Sequence, residues 1–323
     1  MTDPIELPAL DGRDPLGFLA ALGTLRLLAD HHDPVTALSF DDRTAVARLH
    51  SRRLTALDDL VSTIVGILDT IPPDGVIPGV PATFPASKVG VAADPMRVAR
   101  DEFRTAAGTL TGGEPAAARW LAALVTDLAA DAKGRAALTP YTAPAGQQSL
   151  RSLFAKPLEE VRKDPTTLIR QAFTGWRRVD GYTGEYLDHR VVRGAADHPS
   201  GKSVEAGVPG ATWLAIMALS MLRLTGDGST VAATGWHQVP GRRQPVMLWP
   251  LWRQPLDRYA VTALLEHRDL RLGDGVTVNP ARWAPLGVFT VAAAARRPVE
   301  GRKSAGVLAP IPVTINGPTP TKP

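Results

Sequence analysis

The sequence predicts an α+β protein, helix-rich with short antiparallel β-hairpins and divided into two subdomains. Three observations predict it. Apolar runs of helical length, at 15–28 and 208–224, alternate with short strand-like runs such as 37–40 and 45–50. Proline-dense and polar stretches at 72–95 and 133–144 separate groups of elements. Charge also changes sign along the chain: residues 1–132 carry 11 Lys+Arg against 18 Asp+Glu, and residues 133–323 carry 25 against 14. The expected organisation is an acidic helical and hairpin subdomain at 1–140, a basic α+β subdomain at 141–295, and a Pro/Gly/Arg-rich tail at 296–323.

The first helix opens with Asp14 as N-cap and Pro15 at the first helical position, where a missing N–H costs nothing. Apolar residues lie nearly all round it, the pattern of a buried helix, and Gly17 and Gly23 allow another element to approach closely. His31-His32-Asp33-Pro34 is a stop signal. Residues 37–40 and 45–50, joined by Asp41-Asp42-Arg43, read as a hairpin. An amphipathic helix covers 54–71 and ends at Pro72-Pro73-Asp74-Gly75. Helices at 96–110 and 115–132 follow, split by Thr111-Gly112-Gly113. In the second part, a helix at 157–176 leads into the polar stretch 177–202. A second buried helix, 208–224, starts at Pro209. Strands at 230–236 and 246–251 pair around Gly241-Arg242-Arg243, and a further helix covers 257–266.

There is no cysteine, which excludes disulfides, thiolate zinc sites and cysteine nucleophiles. Met1-Thr2-Asp3-Pro4 has no signal-peptide character, and the run at 208–224 is too short and too punctuated to span a bilayer. The expectation is a cytoplasmic protein with no membrane partner and no cofactor. Net charge is only +4, but its uneven distribution points the second part toward an anionic partner, nucleic acid first and an acidic protein second.

The basic candidates for that contact are Arg177, Arg178, Arg190, Arg193, Lys202, Arg242, Arg243 and Arg253, with Tyr182 and Tyr186 as rings that stack on bases. The 177–202 stretch and the 241–243 turn are expected on one face, because one anionic ligand needs a continuous positive track. Tyr182–Arg190 is the densest cluster of reactive side chains and also reads as an ordered polar loop. Alternatively Glu185, Asp188 and His189 centre a metal- or acid–base-dependent hydrolase. Gly201-Lys202-Ser203 resembles the end of a phosphate-binding loop, but Ala196 stands where the motif needs glycine. Trp249 and Trp252 fit core packing better than base stacking.

Three segments, in this order, carry a resemblance. Asp14-Pro15-Leu16-Gly17-Phe18-Leu19-Ala20-Ala21-Leu22-Gly23-Thr24-Leu25-Arg26 resembles the N-terminal helix of proteins encoded with type I-G (formerly I-U) CRISPR systems. Ala145-Gly146-Gln147-Gln148 is similar to their Ala-Gly-Gln-Gln motif, with Tyr141-Thr142-Ala143-Pro144 where Lys-Thr-Trp usually precedes it. Residues 211–224, followed by Trp249-Pro250-Leu251-Trp252, resemble their buried helix and Trp-containing strand. The resemblance implies the small b-series, large-subunit-like component of a guide-RNA surveillance complex. Such a component is non-catalytic, and its partners are guide RNA or target DNA and other effector subunits. It further implies contacts from Gln147, Gln148 and Arg151. In such complexes base pairing reads the sequence while protein holds the backbone. An adaptor that docks the helicase-nuclease is the remaining reading.

Overall fold

A computed structural model describes residues 3–86, 94–144, 148–193, 203–240, 242, 244–270, 276–299 and 305–315, with the side chains of Arg193 and Ile315 outside the description. Among these, the helices are α1 (Pro15–His31), α2 (Leu57–Asp69), α3 (Phe103–Thr111), α4 (Pro115–Leu124), α5 (Leu150–Arg162), α6 (Pro165–Thr174), α7 (Pro209–Met217) and α8 (Arg258–Leu265). The strands form small sheets, and the fold is α+β. None of these helices is long and apolar enough to cross a membrane.

α1 is the axis of the molecule. Asp14 Oδ1 accepts the Leu16 and Gly17 amides at 2.9 and 3.3 Å, and Pro15 follows at the first position. Every residue from Pro15 to Ala29 is buried, because α7 lies on one side and the Ile5–Asp11 strand on another. Six of its leucines are 0 % exposed, each worth about 2 kcal/mol of transfer free energy. The two glycines do what their sequence positions predict. A Cβ on Gly23 would overlap the Leu214 carbonyl oxygen of α7, and one on Gly17 would press on the Asp11 carbonyl. The helices therefore cross almost backbone to backbone.

Two four-stranded antiparallel sheets flank this pair. One runs Ile5–Asp11, Val46–His50, Ala37–Phe40, Leu256–Asp257, so the predicted hairpin is present and a strand from the second half completes it. The other runs Trp236–His237, Val246–Trp252, Val288–Arg297, Val307–Ile311. Trp249 and Trp252 face the first half: their indole N–H groups donate to Gly12 O and Leu38 O, both at 2.7 Å. Phe18 and Phe40 pack on them at 5.0–6.3 Å between rings. One hydrophobic core thus runs from Ile5 to Leu308. The division near residue 140 is one of charge, with packing continuous across it.

Several expected elements break where side-chain chemistry changes. The helix expected over 115–132 ends at Leu124, and Val125–Ala130 pairs with Ala136–Leu138. Val125 and Thr126 are β-branched, and Asp131 shapes the turn by accepting the Lys133 and Arg135 amides. The helix expected over 157–176 is two: Ser149 caps α5 at the Ser152 amide, and Asp164-Pro165 starts α6. α7 stops at Met217, and Leu224–Gly226 is a strand that pairs with Val231–Ala233. Trp236–His237, not the whole of 230–236, pairs with Val246 and Met247. The expected tail boundary at 296 falls inside the Val288–Arg297 strand, and Val307–Ile311 beyond it is paired, with Val307, Leu308 and Ala309 buried.

Candidate functional site

The described part of the polar stretch after α6, 177–193, contributes two strands to a three-stranded sheet made of Val179–Asp180, Val204–Gly207 and Val192–Arg193. Its centre is a turn in which Gly184, Glu185 and Tyr186 all take left-handed backbone, with φ of 56°, 49° and 56°. For the two residues with a Cβ this costs about 1–2 kcal/mol each, and such strain persists only where the surroundings enforce it. Four contacts enforce it here. Gln148 Nε2 donates to Glu185 Oε2. The Tyr186 hydroxyl donates to Glu205 Oε1 at 2.9 Å, and the Tyr186 carbonyl accepts from Arg296 Nη1 at 2.9 Å. Gly207 lets the chain pass, since a Cβ there would meet Gly184 N at 2.8 Å.

Glu185 is 6 % exposed, and its second carboxylate oxygen has no hydrogen-bond partner among the described residues. Burial pushes this carboxyl up to about 7, against the opposing pull of the Gln148 amide and the Lys156 charge. Three residues on, Asp188 is 1 % exposed and has the opposite character. Burial alone raises it, but Arg178 at 2.5 Å and Arg190 at 3.2 Å outweigh that and hold it below the ordinary carboxylate value. Arg190 then reaches Asp14 Oδ2 at 2.9 Å and lies 5.1 Å over the Trp176 ring. Asp14 therefore caps α1 and anchors the loop at once, and burial lifts its carboxyl to about 6.

The ligand atoms of Asp14, Asp188 and His189 lie within 4.8 Å of one another. This donor set fits an arginine rather than a dication. Arg190 already spans the two carboxylates, and Arg178 takes the remaining Asp188 oxygen. A metal would have to displace a charge-assisted network and then sit beside two guanidiniums. His189 Nδ1 is 3.8 Å from Asp188 Oδ1, and burial lowers the ring's pKa although Asp188 pulls it upward. Glu185 is not part of that group of three; it is bonded to Gln148. The expected hydrolytic trio is thus divided between two networks.

The residues expected to meet nucleic acid divide in the same way. Tyr182 and Tyr186 are each 6 % exposed, so neither ring is a free stacking face. Arg178 is held by Asp188 and by the Arg190 and Ala206 carbonyls. Arg151 donates to the carbonyls of Ala82 at 3.0 Å, Pro85 at 3.1 Å and Asp74, stapling the proline-rich loop to α5. Arg253 pairs with Asp42 at 3.0 Å and lies 5.7 Å from the Phe289 ring, yet its side chain stays 57 % exposed. Arg177 and Arg242 are exposed, and neither side chain has an ion pair or hydrogen bond among the described residues. Gln147, Lys202, Gly241 and Arg243 lie outside the described residues, as does the side chain of Arg193. The expected common face for the 177–202 stretch and the 241–243 turn therefore lies in part outside them too.

Sequence reasoning missed the Gln148–Glu185 pairing, which joins residues 37 apart in the chain. It also missed Arg296. This guanidinium is 8 % exposed, has no carboxylate partner among the described residues, and donates instead to the carbonyls of Tyr186, Gly306, Pro140 and Tyr141. A scan against protein-family models finds no match to this chain, and a search of curated proteins finds none.

Proposed function

We propose that this chain is a non-catalytic subunit of a type I CRISPR guide-RNA surveillance complex, contacting the backbone of guide RNA or target DNA in antiviral defence. The observation that carries the reading is spatial. Two of the three segments behind the sequence resemblance are far apart in the chain but pack together, and of the Ala145–Gln148 segment Gln148 alone lies among the described residues. α1 crosses α7, Trp249 bonds to Gly12 just ahead of α1, and Gln148 stands next to Ser149, the N-cap of α5, which packs on α7. The positive balance of the second part, with Arg177 and Arg242 free to meet phosphates, supports the same reading.

Two facts weigh against the alternatives. A hydrolase needs Glu185, Asp188 and His189 to converge on a substrate, and each of the two carboxylates is committed to an internal partner. An adaptor needs an apolar docking patch, while the exposed large hydrophobics among the described residues are Val35, Leu128 and Tyr259. The test is co-expression of a tagged chain with the proteins of its own genomic neighbourhood and a guide RNA. The reading predicts that RNA and other subunits co-purify in fixed stoichiometry. Recovery of the chain alone and free of RNA contradicts it, and so does cleavage by the isolated chain that His189→Ala abolishes.

A further inference from the structure

α1, α4 and α8 frame an open groove of about 580 Å³, inside the roughly 300–1,000 Å³ range of small-ligand sites. It lies apart from the 184–186 turn and shares no residue with the network there. α1 brings Arg26 and Asp30 to it, α4 brings Arg119, and α8 brings Arg258 and Tyr259.

The charges do not balance. Asp30 is shared between two guanidiniums, taking Arg26 Nε on Oδ2 at 2.9 Å and Arg258 on Oδ1. Arg119 lines the same groove, is exposed, and has no carboxylate partner among the described residues. Glu266 at the rim is neutralised by Arg223 at 2.6 Å. Three arginines therefore face one available carboxylate. Arg26 is the least expected of them. Its side chain is 7 % exposed, on a helix buried nearly all round, where leucine would pack at lower cost. Burial first, then the charges of Arg119 and Arg258, bring its pKa down to about 10. A cluster of guanidiniums that outnumbers its carboxylates is stabilised by an anion arriving from outside.

Beside these charges stands the most exposed large ring among the described residues, Tyr259 at 67 %. The Arg258 guanidinium lies 4.6 Å from the ring centroid and donates to the hydroxyl at 2.6 Å. One face of the ring is thus covered and its orientation fixed, while the other face is open to a planar partner.

We propose that this groove binds a nucleoside phosphate, with the phosphate between Arg119 and the Arg26–Arg258 pair and the base on the open face of Tyr259. A free mononucleotide and one unit of a single strand present the same chemistry. The proposal stands apart from the surveillance-complex reading, which rests on other residues.

The test titrates the full chain, by calorimetry, with AMP and separately with a short oligoadenylate strand, alongside Arg119→Ala, Tyr259→Ala and Arg242→Ala. At least one probe binds the wild type. Arg119→Ala and Tyr259→Ala each weaken that binding by roughly tenfold, the scale of one lost base stack or phosphate contact. Thermal melts stay unchanged, because both side chains are exposed. Should Tyr259→Ala fail to fold, Arg119→Glu repeats the test at a position with no internal partner. Binding of AMP without the strand, weakened in both groove variants, supports the groove and counts against the nucleic-acid reading, whereas AMP binding that ignores both variants overturns the groove. Strand binding that ignores both groove variants but weakens in Arg242→Ala overturns the groove and leaves that reading intact. Failure of both probes to bind the wild type also overturns the groove.

Discussion

Glu185 holds a proton to higher pH than an ordinary glutamate because burial of its carboxyl outweighs the opposing pull of the Gln148 amide and the Lys156 charge. The sign follows from linkage. Its folded pKa, about 7, lies above the ordinary 4.5, so the folded chain binds the proton more tightly than the unfolded one. Stability from this group is fully present below pH 4.5 and is lost as pH rises to about 7. Asp14, raised to about 6, adds a loss of the same sign over a lower window. In denaturant midpoints measured across this range, this fall runs against the opposite slope of His31, His50 and His189, whose lowered pKa values add stability as pH rises, so comparison with a variant isolates it. Glu185→Gln, which keeps an acceptor for Gln148, should flatten the upper part of that fall; an unchanged profile would mean that Glu185 is ionised in the folded protein. At this scale the sequence showed which side chains are reactive but not what satisfies them. Arg151, Arg178 and Arg190 look like free cations in a string of letters. Their acceptors include the Ala82 and Pro85 carbonyls and Asp14, which come from distant positions that composition cannot pair with them, as well as the nearby Asp188.

The α1–α7 crossing gives the sharpest test for an element. Gly23→Ala places a methyl group against the Leu214 carbonyl, where neither backbone has room to yield. Forced separation of packed elements costs about 1–3 kcal/mol or more, and the melting temperature should fall accordingly. Gly66→Ala in α2 is the control. Nothing lies within 4 Å of its new methyl, so it should stabilise by about 0.5–1 kcal/mol. Equal effects at both positions would mean that the close crossing does not exist. Two helix starts were legible because their signals are local: Asp14-Pro15 opens α1 and Pro209 opens α7, whereas the starts of α5 at Ser149 and α6 at Asp164-Pro165 were not read from the sequence. Strands such as Val288–Arg297 were not legible either. Its run of four alanines has little β preference of its own and is strand because Val246–Trp252 and Val307–Ile311 pair with it from either side.

Across the whole molecule, charge separates along the chain while the core does not. Arg296 joins the regions: one buried guanidinium ties the last sheet to Pro140 and Tyr141 and to the strained turn at Tyr186. Arg296→Met should destabilise by about 3 kcal/mol or more, since several buried carbonyls lose their donor at once; a melt within a degree of wild type would show that these carbonyls find other partners. The continuous core was only partly legible, because the apolar pattern identifies buried helices without saying which of them meet. The central claim is that the free arginines of the second part contact a nucleic-acid backbone. Affinity for single-stranded RNA of guide length, measured over a series of salt concentrations, tests it most directly. The account predicts a steep loss of affinity with salt, and a log–log slope flattened by roughly 0.7 for each contact removed in Arg177→Ala and Arg242→Ala. Unchanged affinity and slope in the double variant would contradict it.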